Sequence, residues 1–90
     1  MKAHDQIDIS FLLAARYKKP VVLLEEVIAD YLPHLNIDAA NRRANKQSLP
    51  FPVFRGDSAK SPWLVNISDL AIYLEKRRNE AIKDWEAMNK

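Results

Sequence analysis

FPVFRGDSAKSPWLVNISDL (residues 51–70) holds the only glycine of the 90-residue chain, a short polar tip and a tryptophan just beyond it. Pro50 and Pro52 exclude a helix and favour extended chain at an edge. Residues 53–55 then read as one strand. GDSAKS is rich in turn formers, and Trp63 and Val65 alternate with Leu64 and Asn66 as in a second strand. The stretch is a two-stranded hairpin. After it, Ser68 reads as the cap of a long helix in which Leu70, Tyr73, Leu74, Arg77, Ala81, Trp85 and Met88 recur every three or four residues.

Upstream, Ile9, Leu12, Leu13 and Arg16 predict a short helix over 8–17, broken by Pro20. Val21 and Val22 read as a short extended piece. Leu24, Val27, Ile28, Tyr31 and Leu32 form one apolar helical stripe. Glu25 and Glu26 sit in its first turn, where the helix dipole favours negative charge, and Pro33 ends it. PHLN is a turn, with Asn36 as N-cap of the next helix. On that helix Ile37, Ala40, Asn41 and Ala44 share an inner face. Asp38, Ala39, Arg42, Asn45 and Lys46 share the other, with Arg43 on its flank.

Two helices joined by a short turn, then a hairpin, then a helix, make a mostly α member of the α/β class. The arrangement is a winged helix-turn-helix with a two-stranded hairpin wing and a long C-terminal helix. Ninety residues allow one domain, 1–90, with residues 1–7 expected as a flexible tail and 79–90 as a helical extension open to oligomerisation. Trp85 and Met88 continue an apolar stripe where little core remains, which suggests a partner surface; a solvated terminal helix is the plainer alternative.

The net charge of +2 says little, but its distribution says more. Residues 1–35 carry four basic and five acidic side chains, and residues 68–90 five of each. Residues 41–60 carry Arg42, Arg43, Lys46, Arg55 and Lys60 against Asp57 alone, a local +4. Such a patch fits a nucleic-acid surface, although a solvated charged face has the same composition. Arg55 and Lys60 could equally be charges that protect an edge strand. Trp63 reads as a core residue, with stacking on a base as the alternative.

Other chemistries lack their residues. No cysteine is present, so disulfides and thiolate zinc sites are excluded and a reducing compartment fits. His4 and His34 have no partner at metal-ligand spacing, and one glycine cannot build a phosphate-cradling loop. No apolar run reaches the length of a membrane span, MKAHDQID has no signal-peptide core, and FLLAA is too short to be one. We therefore expect no enzyme activity, no cofactor, no metal and no membrane partner.

FLLAARYKKPVVLLEEVIADYL, AANRRANKQSLPFPVFR and SAKSPWLVNISDLAIYLEKRR, in that order, resemble the pyocin activator protein PrtN family over residues 11–78. The layout is more distantly similar to the winged helix-turn-helix domains of phage excisionases and AlpA-type regulators. The resemblance implies a bacterial transcriptional activator of phage-tail-like bacteriocin genes, in the cytoplasm at the nucleoid. It implies double-stranded DNA as partner, with RNA polymerase and further copies of the chain beside it. By position the family's second helix falls on 37–46 and its wing on 53–65. Members often carry glycine at the end of the second helix, where this chain has Gln47-Ser48. The expected DNA-binding residues are Asp38, Ala39, Arg42, Arg43, Asn45, Lys46, Arg55, Gly56 and Lys60. An excisionase-like architectural protein and a protein-interaction adaptor with an acidic partner are the rival readings.

Overall fold

A computed structural model describes residues 8–89; the expected tail, residues 1–7, lies outside the described residues. The elements run α1 (Ile9–Tyr17), β1 (Val21–Leu23), α2 (Leu24–Tyr31), α3 (Ile37–Asn45), β2 (Phe54–Arg55), β3 (Trp63–Asn66) and α4 (Ile67–Met88). The fold is mostly helical, around a small antiparallel sheet.

That sheet has three strands where the sequence suggests two. β3 lies in the middle, in the order β1-β3-β2. β1 pairs Val21 with Asn66, Val22 with Val65 and Leu23 with Leu64. β2 pairs Phe54 with Leu64 and Arg55 with Trp63. The short Val-Val piece is thus an edge strand, recruited by a segment some forty residues away. The Pro20 carbonyl accepts the Ile67 N–H at 2.9 Å and extends this union toward α4.

Local signals set the helix ends. Asp8 Oδ1 accepts the Ser10 N–H and starts α1; Lys18, at φ 61°, closes it in the left-handed region. The Leu23 N–H donates to Glu26 Oε1, so one of the two first-turn carboxylates caps α2 as well as meeting its dipole. Asn36 Oδ1 accepts the Ala39 N–H at 2.7 Å, as expected of the α3 N-cap. For α4 the expectation shifts by two residues. Asn66, not Ser68, is the N-cap, and its Oδ1 accepts the Ser68 N–H. Asn66 holds both roles because the last residue of a strand already has the extended backbone an N-cap needs.

The core draws on every element except β2. Leu24, Val27 and Ile28 of α2 pack with Ala40 and Ala44 of α3, Val22 and Val65 of the sheet, and Ile67, Leu70 and Ala71 of α4. The two alanines are fully buried, so α3 sits close to its neighbours. Leu49, Phe51 and Val53 point inward while Pro50 and Pro52 face solvent. That alternation lets an extended segment fill the core while its prolines need no ladder partner. Phe51 meets Tyr73 of α4 edge to face at 5.4 Å.

α1 lies against α4. Leu13 is the buried residue of α1, while Phe11 and Leu12 stay exposed. Tyr17 Oη and Arg16 Nη2 donate to the same Asp30 oxygen at 2.6 and 2.9 Å, tying α1 to α2. This double donation holds the Asp30 carboxyl below its usual range, the tyrosine bond contributing most. Burial, then the same bond, pushes the Tyr17 hydroxyl above its ordinary value.

Candidate nucleic-acid interface

α2 and α3 are joined by the five residues 32–36, and the β2–β3 hairpin follows α3. Burial sorts the positions of α3 by angle. Ala40 and Ala44 face the core. Asp38, Arg42, Asn45 and Lys46 are exposed, and Ala39 and Arg43 are half-buried between the two faces. Ile37 departs from the burial expected for it. It lies on the alanine stripe by angle, but as the first residue of α3 it is 39% exposed and borders the hairpin tip.

Ile37, Asn41, Leu24, Glu25, Lys60 and Trp63 line a groove of about 310 Å³ between α3, the start of α2 and the hairpin tip.

The basic residues divide into two kinds. The side chains of Arg42 and Lys46 make no hydrogen bond or ion pair among the described residues, and both residues are exposed. Lys60 sits at the hairpin tip with its side chain likewise unpaired. These three are cations available to a ligand. Arg43 and Arg55 also hold hydrogen bonds within the fold.

Arg43 Nη2 donates to the Ser48 carbonyl at 3.1 Å, and its own carbonyl accepts from the Ser48 N–H and hydroxyl. The Gln47 N–H reaches the Ala44 carbonyl at 3.0 Å. Together these bonds form a Schellman closure of α3. Its left-handed residue is Gln47, at φ 54°, where glycine is the unstrained choice. The departure at Gln47-Ser48 therefore keeps the geometry of the helix end, with strain carried by a side-chain-bearing residue.

Arg55 is wired into the fold more fully. Its guanidinium lies 4.2 Å above the Trp63 ring. Nη2 donates to Asn45 Oδ1 of α3 at 3.2 Å, and Nη1 donates to the Ala59 carbonyl at the tip. Its Nε is buried without a partner. Half-buried Trp63 packs on the core through one part of its surface and carries the arginine on another. Arg55 thus joins the hairpin to the exposed edge of α3, and its fork is occupied.

The tip itself is stapled. Ser61 Oγ donates to Asp57 Oδ1 at 2.9 Å, and the Lys60 N–H to Ser58 Oγ at 3.2 Å. Gly56 has no positive φ, and a Cβ there would meet Ser61 Oγ only at 3.8 Å. The tip does not need a glycine for its own conformation.

The structure thus brings Asn45 and Arg55 into contact and leaves Arg42, Lys46 and Lys60 free around them. Sequence reasoning listed Arg43 and Arg55 with the free cations because charge is visible in a sequence and a partner is not. It also missed Ile37 and Asn41 as lining of the groove. The one available signal was that Asn41, a polar residue, shares their face with alanines.

The family model described as Pyocin activator protein PrtN matches residues 10–81 of the 90. The chain belongs to the pyocin activator protein PrtN family. No curated protein and no solved structure matches it. The matched span takes in α2, α3, the hairpin and the first two thirds of α4, so the whole candidate interface lies within the family pattern. The family name points to a regulator of pyocin genes. Among the described residues, no group of histidine, cysteine or carboxylate side chains could hold a metal, and no helix is long and apolar enough to cross a membrane.

Proposed function

We propose that this pyocin activator family member is a winged helix-turn-helix transcriptional activator that binds duplex DNA. In this reading α3 enters the major groove and the β2–β3 hairpin is the wing. Arg42 is the base-reading residue, since an arginine fork can take both acceptors of a guanine edge. Asp38 and Asn45 flank it, Ala39 keeps the approach open, and Lys46 and Lys60 meet phosphates. Arg55 positions the wing, and Gly56 leaves its tip low enough to approach the backbone.

One observation carries the reading. Arg42, Lys46 and Lys60 are exposed and unpaired on a surface whose two parts, helix and hairpin, are joined by the Arg55–Asn45 contact. A surface meant only for solubility does not require helix and hairpin to be held in register. Phosphate contacts supply affinity and salt sensitivity, and the helix supplies sequence discrimination. The chain performs no reaction of its own. It works at the nucleoid in the bacterial cytoplasm, and activates by presenting a surface to RNA polymerase. A single module has a small footprint, so a homo-oligomer joined through α4 extends it along the DNA.

Selection from a random duplex pool, followed by titration of the recovered site at two salt concentrations, tests the proposal. Enrichment of a defined motif, with affinity falling steeply as salt rises, is the expected outcome. Negligible affinity at about 50 mM salt, where counterion release favours binding most, sinks it. Sequence-independent coating with strong bending moves the reading to an excisionase-like architectural protein. Capture of an acidic protein without DNA affinity moves it to an adaptor.

A further inference from the structure

α4 is 22 residues long, about 33 Å at 1.5 Å per residue, in a molecule whose longest dimension is 50 Å. Its first half is a core helix, and the face that enters the core does not stop where the core does. Ile67, Ala71 and Leu74 step by four and three along that face and are buried or half-buried. The same step continues through Arg78, Ala81, Trp85 and Met88. Here Trp85 is 65% and Met88 84% exposed. Leu70, fully buried, widens that face inside the core; beyond it the three-and-four step of Arg78, Ala81, Trp85 and Met88 keeps to a narrow seam of the kind that pairs with another helix.

Charge selects the partner and its direction. Beyond the core, α4 carries Lys76, Arg77 and Arg78 against Glu75 and Glu80, a net positive stretch, and then Asp84 and Glu86 against Lys83, a net negative one. Parallel pairing of two copies sets like charge against like. Antiparallel pairing sets the basic end of each against the acidic end of the other. Only one antiparallel register lets Trp85 reach the rim of the core at half-buried Leu74. It brings Arg77, on the edge of the seam, opposite Asp84 of the second copy, twice by symmetry. It also faces the long Arg78 with the small Ala81. Arg77 is held only by an exposed Glu80 one turn on, at 2.7 Å, a pair of the kind that exchanges partners at little cost.

We propose that the distal half of α4 is an antiparallel self-pairing helix: two copies of the chain join with Trp85 of each against Leu74 of the other and Arg77 against Asp84. This deepens the oligomer part of the functional reading and is independent of whether the chain binds DNA.

The chain has no cysteine, so single cysteines report the geometry directly. An equimolar mixture of Arg77→Cys and Asp84→Cys full-length chains is expected to give a disulfide-linked heterodimer under mild oxidation. Met88→Cys alone is expected to stay unlinked, because its two copies sit at opposite ends. Sedimentation of the uncross-linked chain is expected to show a dimer whose Kd rises about thirtyfold or more in Trp85→Ala, with helix content kept by circular dichroism. Arg77→Asp is expected to dissociate the dimer, and Arg77→Asp with Asp84→Arg to restore it, which a purely structural role for either residue would not produce. Efficient Met88→Cys homodisulfides with a dimeric mass overturn the antiparallel arrangement and leave self-association standing. A monomeric mass at every concentration overturns both.

Discussion

Replacing Arg55 with alanine separates the two roles its position allows. If Arg55 is a wing cation that meets phosphate, its loss leaves the free protein unchanged. If it is the tie between hairpin and α3, the free protein weakens. Three contacts contribute. The guanidinium–indole stack, at 4.2 Å and partly desolvated, is worth about 1 kcal/mol. The hydrogen bonds to Asn45 Oδ1 and to the Ala59 carbonyl are each worth about 1 kcal/mol net. Against these, the buried Nε lacks a partner, and removing it relieves about 1–2 kcal/mol. The balance is a loss of about 1–2 kcal/mol, or about 4–8 °C of Tm per kcal/mol in a domain of this size. Urea titration followed by tryptophan fluorescence measures it, with Trp63 as the local reporter. Arg55→Lys keeps the charge but neither the flat stack nor the fork, so it is expected to fall with the alanine variant. A double-mutant cycle with Asn45→Ala is expected to show coupling of about 0.5–1 kcal/mol. The slope of log affinity for DNA against log salt is expected to stay within about half a unit of the parent. An unchanged urea midpoint in Arg55→Ala, with a salt slope reduced by about one, refutes the tie and restores the phosphate contact.

Arg42→Ala is expected to weaken binding to the selected DNA site by about 1–3 kcal/mol and to relax one position of the motif, with the urea midpoint unchanged; a uniform loss on all sequences assigns Arg42 to phosphate instead. Gln47→Gly is expected to stabilise the protein by about 1 kcal/mol in the same urea assay, because it removes the left-handed strain at φ 54° while every bond of the helix end survives. The Asp30 carboxyl titrates lower in the folded than in the unfolded chain. Its contribution is therefore complete above the unfolded value of about 4 and is lost as pH falls through the folded one. Asp30→Asn is expected to flatten the fall in stability below about pH 4, read as Tm against pH, whereas an acid limb identical to the parent's removes the Tyr17–Arg16–Asp30 tie.

The helices were legible because their causes are local. Asn36 announces α3 by its own side chain, Pro33 forbids continuation of α2, and the stripe of Leu24, Val27 and Ile28 is written at helical spacing. The hairpin was legible from its prolines and its polar tip. The third strand was not. Val21-Val22-Leu23 is too short to declare itself, and what makes it a strand is Val65, which only folding brings alongside. The α4 cap was misplaced for a related reason. Serine and asparagine both suit an N-cap, and the choice followed from where β3 ended.

The candidate site divides along the same line. The residues themselves name a basic helix, a basic hairpin and an apolar stripe on α4 that outruns the core, because charge, turn propensity and periodicity are properties of neighbours along the chain. Which cations are free and which are committed is a property of neighbours in space. Arg42 and Arg43 are adjacent in sequence, yet one faces solvent and the other closes the end of its own helix. Arg55 and Lys60 share one hairpin, yet the packing of Trp63 beneath Arg55 and the approach of Asn45 turn the first into a strut and leave the second open. A guanidinium binds whatever acceptor and ring the fold brings within reach, and that reach is set by tertiary packing.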